Sequence, residues 1–210
     1  MTVLDELREA VIDGQAKLAV AAATQGLEQG IPAEVLLHDG LIAAMREVGR
    51  LFEENEIYVP EMLVAARAMN ATVAVLKPRL IEHAVQSSGT VAIGTVQGDL
   101  HDIGKNLVAM MLEGSGFEVV DLGTDVPPER FVDAIRAGAD VVAMSALLTT
   151  TMTSMQDVVE AITAAGLRDQ VRIIAGGAPI TAKYAAQIGA DGYAPDASKA
   201  VRKVRELLTV

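Results

Sequence analysis

The chain has 210 residues, 51% hydrophobic and 3% aromatic, with no Trp, which is room for two compact domains with cores of Ala, Val, Leu, Ile and Met. A net charge of −11 argues against a nucleic-acid surface or an anionic-lipid patch, both of which need basic residues. The absence of Cys excludes disulfides, thiolate metal sites and thiol catalysis, while an acidic N-terminus and no apolar run of about eighteen residues point to a cytoplasmic protein with no membrane span.

Residues 2 to about 85 read as helices. Val3, Leu4, Leu7, Val11 and Ile12 recur at three-to-four spacing until Gly14 breaks the pattern. A second helix carries Leu18 to Leu27 and stops near Gly30. Pro32 suits the first turn of a third, which carries Val35, Leu41, Met45, Val48 and Phe52. After the polar link Glu53 to Glu56, Pro60 opens a fourth, with Met62, Leu63, Met69 and Leu76. Lys77-Pro78 marks a break, and a tail helix runs to about Val85. Four such helices predict a four-helix bundle over residues 1–86. Gln86-Ser87-Ser88-Gly89 reads as a linker. Beyond it, strands are expected at 90–95, 117–121, 140–144, 171–175 and 191–193. Helices are expected at about 104–114, 128–137, 152–165, 181–188 and 196–208. The alternation predicts a doubly wound parallel sheet, Rossmann-like or flavodoxin-like, over residues 87–210.

The carboxyl ends of parallel strands are where ligands bind. The loop after the first strand is Gly98-Asp99-Leu100-His101-Asp102-Ile103-Gly104-Lys105-Asn106. The loop after the third is Ser145-Ala146-Leu147-Leu148-Thr149-Thr150-Thr151, and the fourth strand ends in Gly176-Gly177-Ala178-Pro179. A later loop, Gly192 to Ser198, includes Tyr193 and Ala194 and falls at the same edge. A neutral imidazole at His101 is a common metal ligand, and Asp99 is placed to fix its tautomer. A hydroxyl from the second loop could bond that carboxylate. One His makes a poor closed site, so a bound metal would need most of its coordination from a macrocycle. The same residues also read as a plain helix start, with Asp102 as cap and His101 exposed. Ser145 and the threonines read equally as helix caps. Gly176-Gly177 permits a turn or close approach of a ligand. Phe52 to Val59 reads as bundle core or a helix end, and His38 and His83 as surface or packing residues.

Asp99-x-His101-x-x-Gly104, Ser145-x-Leu147 and Gly176-Gly177, in that order, resemble the signature of cobalamin-binding domains. The run Gly98 to Asn106, with Asp121-Leu122-Gly123 and Val126-Pro127, looks like the methyl-transferring branch, as in methionine synthase. Gly49-x-Leu51-Phe52, Tyr58-Val59-Pro60-Glu61 and Ala65-Ala66-Arg67 resemble that family's helical cap. The size is similar to the stand-alone corrinoid proteins of methanol, methylamine and methoxy-aromatic methyltransferase systems. The resemblance implies a base-off corrinoid, cobalamin or a relative, with His101 as the lower axial ligand of cobalt. It implies that Asp99 bonds His101, with Thr151 (or Thr150) closing the relay. Gly98, Asp102, Ile103 and Gly104 would meet the cofactor around His101. Ser145, Leu147, Thr149, Gly176, Gly177, Tyr193 and Ala194 would line the slot for its nucleotide tail. Phe52 and Val59 would cover the upper face.

What this implies is a methyl carrier for one-carbon metabolism, without complete turnover alone. One partner methyltransferase would load it from a methylated donor and another would unload it to tetrahydrofolate or a thiol, with a reductive activator protein in support. The linker at 86–89 is the implied hinge. Two other readings use the same core. A cobalamin-dependent sensor would need an effector or DNA-reading segment, and no basic helix-turn-helix stands out. A mutase subunit would lack the helical cap.

Overall fold

The computed structural model describes residues 2–82 and 87–208. The chain divides into two compact units. One holds the helices up to Glu82 together with 113–116, and the other runs from Ser87 through the remaining residues.

The helical unit opens with α1 (Val3–Ile12). Thr2 caps it through a reciprocal pair: its hydroxyl accepts from the Asp5 N–H at 3.2 Å, and the Asp5 carboxylate accepts from the Thr2 N–H at 2.9 Å. Gly14, at φ 69°, turns the chain into α2 (Ala16–Glu28). Then α3 (Ala33–Val35) passes through a π-helical stretch, Leu36–Ile42, into α4 (Ala43–Glu53). The expected third helix thus forms with a widened middle. Gly40 sits in that stretch against α1, where a Cβ would come within 2.6 Å of Leu7 Cδ2. Arg8 Nε donates to the Asp39 carbonyl at 2.6 Å.

The long helix α5 (Val59–Glu82) corrects the expected break at Lys77-Pro78, because it continues through Pro78. Pro78 removes one backbone donor, and the carbonyl it leaves free belongs to the exposed Ala74, where water can satisfy it. The remainder of the expected tail to Val85, with His83 and Gln86, lies outside the described residues. Over Val59–Leu80 this helix is also long and apolar enough to cross a membrane by length and composition, which the sequence reading did not anticipate. Core helices pass the same test. Here Met62, Ala65, Ala66, Met69 and Leu76 are buried, and α5 packs along this face on α1, α2 and α4.

The second unit is a five-stranded parallel sheet of order β2-β1-β3-β4-β5. Its strands are β1 (Thr90–Val96), β2 (Glu118–Val126), β3 (Val141–Ser145), β4 (Arg172–Gly176) and β5 (Gly192–Ala194). Helices α6 (Ile103–Glu113), α7 (Pro128–Arg136), α8 (Thr153–Ala164), α9 (Ala182–Gln187) and α10 (Ala197–Leu208) connect and cover them. Val91 to Val96 and Val141 to Met144 are buried continuously, as parallel strands covered on both faces require. Phe131 of α7 packs on β1 where Gly94 offers no Cβ; one there would lie 2.9 Å from the ring. The order reverses between β1 and β3, which sets the switch-point crevice at their carboxyl ends. The expected strand at 117–121 is longer, reaching Val126. Its pairing with β1 shifts register twice, between Ile93 and Gly94 and between Gly94 and Val96.

Candidate functional site

The loops after β1 and β3 meet at that crevice. Asp99 follows the turn at Gly98, whose φ of 85° suits glycine. Its side chain is fully buried, with 0% exposure, and both oxygens are occupied. Oδ1 accepts from the His101 backbone N–H at 3.1 Å and lies 2.7 Å from His101 Nδ1. Oδ2 accepts from the Leu147 N–H at 2.8 Å, the Leu148 N–H at 3.3 Å and the Thr151 hydroxyl at 2.7 Å. Burial alone pushes this carboxyl upward. The bonds from Leu147, Thr151 and His101 outweigh it and hold Asp99 well below the usual carboxylate range. An ionised carboxylate accepts at Nδ1, so the proton of a neutral ring sits there and Nε2 carries the lone pair. The His101 side chain is 51% exposed. A buried anion therefore orients an accessible imidazole.

Around it lie exposed apolar side chains. Leu100 and Ile103 are 74% and 84% exposed, and Leu147 and Leu148 add to them. A Cβ added at Gly104, in the first turn of α6, would meet nothing within 4 Å, so the face beside Ile103 is bare. Asp102 is exposed and accepts from Asn106 at 3.1 Å, within the same turn.

The other strand ends form a row. Ser145 pairs in register with Gly176, and Gly176 with Ala194, while Tyr193 pairs with Ala175 one step back. Gly177 follows at φ 126°, and a Cβ there would lie 1.9 Å from the Ala146 carbonyl oxygen. At Gly176 it would lie 3.1 Å from the Ala194 carbonyl oxygen. Backbones approach closely here because both positions lack side chains. Thr149 and Thr150 are exposed, and the hydroxyl that reaches Asp99 is that of Thr151. None of these hydroxyls caps α8, whose N-cap is Met152 with no side-chain bond. Phe52, near the end of α4, and Val59, at the start of α5, belong to the helical unit.

Sequence reasoning missed several residues that hold these loops. Thr95, buried in β1, donates its hydroxyl to the His101 carbonyl at 2.8 Å. The Lys105 ammonium, buried in α6, bonds both Asp121 oxygens at 2.7 and 2.6 Å, tying that helix to β2. The Tyr184 hydroxyl donates to the Met152 carbonyl at 2.5 Å. A polar Thr inside an apolar strand and a Lys just inside a helix were the available signals.

One outward imidazole is a poor site for a free ion, and no group of three or more His, Asp or Glu side chains that could hold one occurs among the described residues. It suits a metal already held by a broad, mostly apolar macrocycle. The exposed leucines and Ile103, the open surface at Gly104 and the bare strand ends fit such a group.

Residues 89–202 match the B12 binding domain, and residues 3–77 match a second family also described as a B12 binding domain. The chain is 44% identical to the trimethylamine corrinoid protein of Methanosarcina barkeri, over 99% of this chain and 97% of that one. It is also 44% identical to dimethylamine corrinoid protein 1 of Methanosarcina acetivorans, over 98% and 97%. Among solved structures, a cobalamin-binding protein from Desulfitobacterium hafniense superposes with a TM-score of 0.82 at 30% identity, over 97% of this chain and 98% of that one. A chain of the methanol:cobalamin methyltransferase complex MtaBC from Methanosarcina barkeri superposes with a TM-score of 0.86 at 28% identity, over 99% and 80%. With its helical cap region, its five-stranded Rossmann-like unit and an Asp99-His101 pair at the switch point, the chain belongs to the B12 binding domain family, as a corrinoid protein of methyltransferase systems.

Proposed function

We propose that this chain is a cytoplasmic methyl carrier that passes a methyl group from a donor-specific methyltransferase to an acceptor methyltransferase. The observation that carries the reading is the buried Asp99 carboxylate bonded to the accessible His101 ring. Bound, the corrinoid supplies a cobalt centre that takes up and releases the methyl group.

The chain's own residues do the rest. His101 would hold the corrinoid's cobalt through Nε2. Asp99 keeps the Nδ1 proton in place, which orients the ring and raises its basicity as a ligand. The Thr151 hydroxyl and the Leu147 and Leu148 amides hold the Asp99 carboxylate still. Gly98, Asp102, Ile103 and Gly104 surround the ligand. Ser145, Leu147, Thr149, Gly176, Gly177, Tyr193 and Ala194 would line the slot for the cofactor's nucleotide tail. Phe52 and Val59 serve as the cover, and the segment at 86–89 is the boundary between residues 1–86 and 87–210. The carrier depends on partners for turnover, including a reductive activator.

The names of the relatives support a methylated amine as donor; the acceptor in this reading is tetrahydrofolate or a thiol. The test is loading. The protein, charged with hydroxocobalamin and reduced, is mixed with methyltransferases of trimethylamine, dimethylamine and methanol systems, each with isotopically labelled donor. Label on the protein-bound corrinoid with an amine-specific partner supports the reading. A protein that binds corrinoid but takes label from none of them favours the sensor alternative.

A further inference from the structure

The structure assigns Asp125 as a positioning residue for the Asp99-His101 pair, a role that rests on the carrier reading above. Asp125 lies near the end of β2, within the second register shift against β1, between the paired residues Gly123 and Val126. Its φ is 52°, a left-handed conformation that residues with a Cβ seldom adopt and Asp tolerates better than most. Among the described residues only Asn55 shares it outside glycine.

That conformation aims two groups at the β1 loop. The Asp125 N–H donates to the Asp99 carbonyl at 2.9 Å. The Asp125 carboxylate accepts from the Gly98 N–H at 2.7 Å. The edge strand thus grips the residue before Asp99 and Asp99 itself. From there the path is short: the gripped backbone carries the carboxylate, and the carboxylate holds the His101 ring. Asp125 makes these two bonds to the Gly98 and Asp99 backbone, not to the His101 ring. Its carboxylate is exposed, so the fold does not need it for burial; a strand edge can end in water. Its contribution is to fix where the Asp99 side chain begins.

The test compares Asp125→Gly, which keeps the backbone conformation and removes the carboxylate, with Asp125→Asn, which keeps an acceptor oxygen. Amide hydrogen exchange in the cofactor-free protein reads His101 and Leu147, whose N–H groups bond Asp99. In Asp125→Gly both amides exchange about tenfold faster and the dissociation constant for hydroxocobalamin rises about tenfold, as expected for loss of one hydrogen bond. Amides of Ala92 and Ile93 inside β1 do not change, and Asp125→Asn stays within about twofold of wild type. Asp125→Gly with wild-type exchange at His101 and Leu147 overturns the assignment. So does equal acceleration along β1, which would mark a general loss of stability. If the wild type takes up no hydroxocobalamin, the carrier reading fails while the exchange measurement still decides the role of Asp125.

Discussion

The helical unit and the strand-end loops are held together by different physics. Helices α1 to α5 bury one polar side chain among their described residues, Thr72, and its hydroxyl bonds the Ala68 carbonyl one turn back in the same helix. Otherwise their interior is Leu, Met, Val, Ile, Ala and Gly. At the carboxyl edge of the sheet, Thr95, Asp99 and Thr151 are buried; Thr95 bonds the loop that follows β1, and Asp99 and Thr151 join that loop to the one after β3. Apolar packing is nondirectional and tolerates exchange of one side chain for another of similar volume. A buried carboxylate with every lone pair matched to a donor does not. Truncating an apolar side chain should therefore cost the bundle stability, and removing a hydrogen-bonding group should cost the crevice chemistry.

Substitutions can test that contrast. The largest effect is expected at Gly177→Ala. Its Cβ would overlap the Ala146 carbonyl, and φ 126° disfavours any side chain, so a loss of about 4 kcal/mol or failure to fold is expected in urea denaturation. Leu7→Ala comes next. Leu7 is fully buried beside Gly40, and its truncation should cost about 3 kcal/mol while leaving the spectrum of a bound corrinoid unchanged. A changed spectrum would break the separation between the two regions. Thr151→Val reverses the pattern. It keeps shape but leaves Asp99 Oδ2 with the two amides alone, at a cost of only about 1–2 kcal/mol. The spectrum of the bound corrinoid should shift nonetheless, and Thr151→Ser should restore it.

Much of this was readable in the sequence because two periods are strong. Three-to-four spacing marks the bundle, and short apolar runs between helical stretches mark the parallel sheet. The strand-end placement of His101, Ser145 and Gly176 follows from that alternation alone. What stayed hidden depends on geometry between segments. The widening of the third helix at Leu36–Ile42 accompanies the close approach of Leu7 to Gly40, residues 33 apart in the chain. Pro78 read as a break because its neighbours' exposure is not a local property. From the residues alone, without the resemblance, the choice between Thr151 and Thr150 turns on which hydroxyl faces a buried carboxylate 52 residues away. Asp125 was invisible for the same reason: its φ and its hold on Gly98 come from a register shift between two strands.

The most direct measurement is the ultraviolet–visible spectrum of the protein mixed with hydroxocobalamin and desalted, beside His101→Ala. The wild type should retain a coloured corrinoid with a base-off, His-ligated spectrum. The variant, folded by circular dichroism, should lose the cofactor or show a spectrum without the imidazole ligand. Retention with identical spectra in both proteins, or colour in neither, would contradict the assignment of His101 as the ligand on which the site is built.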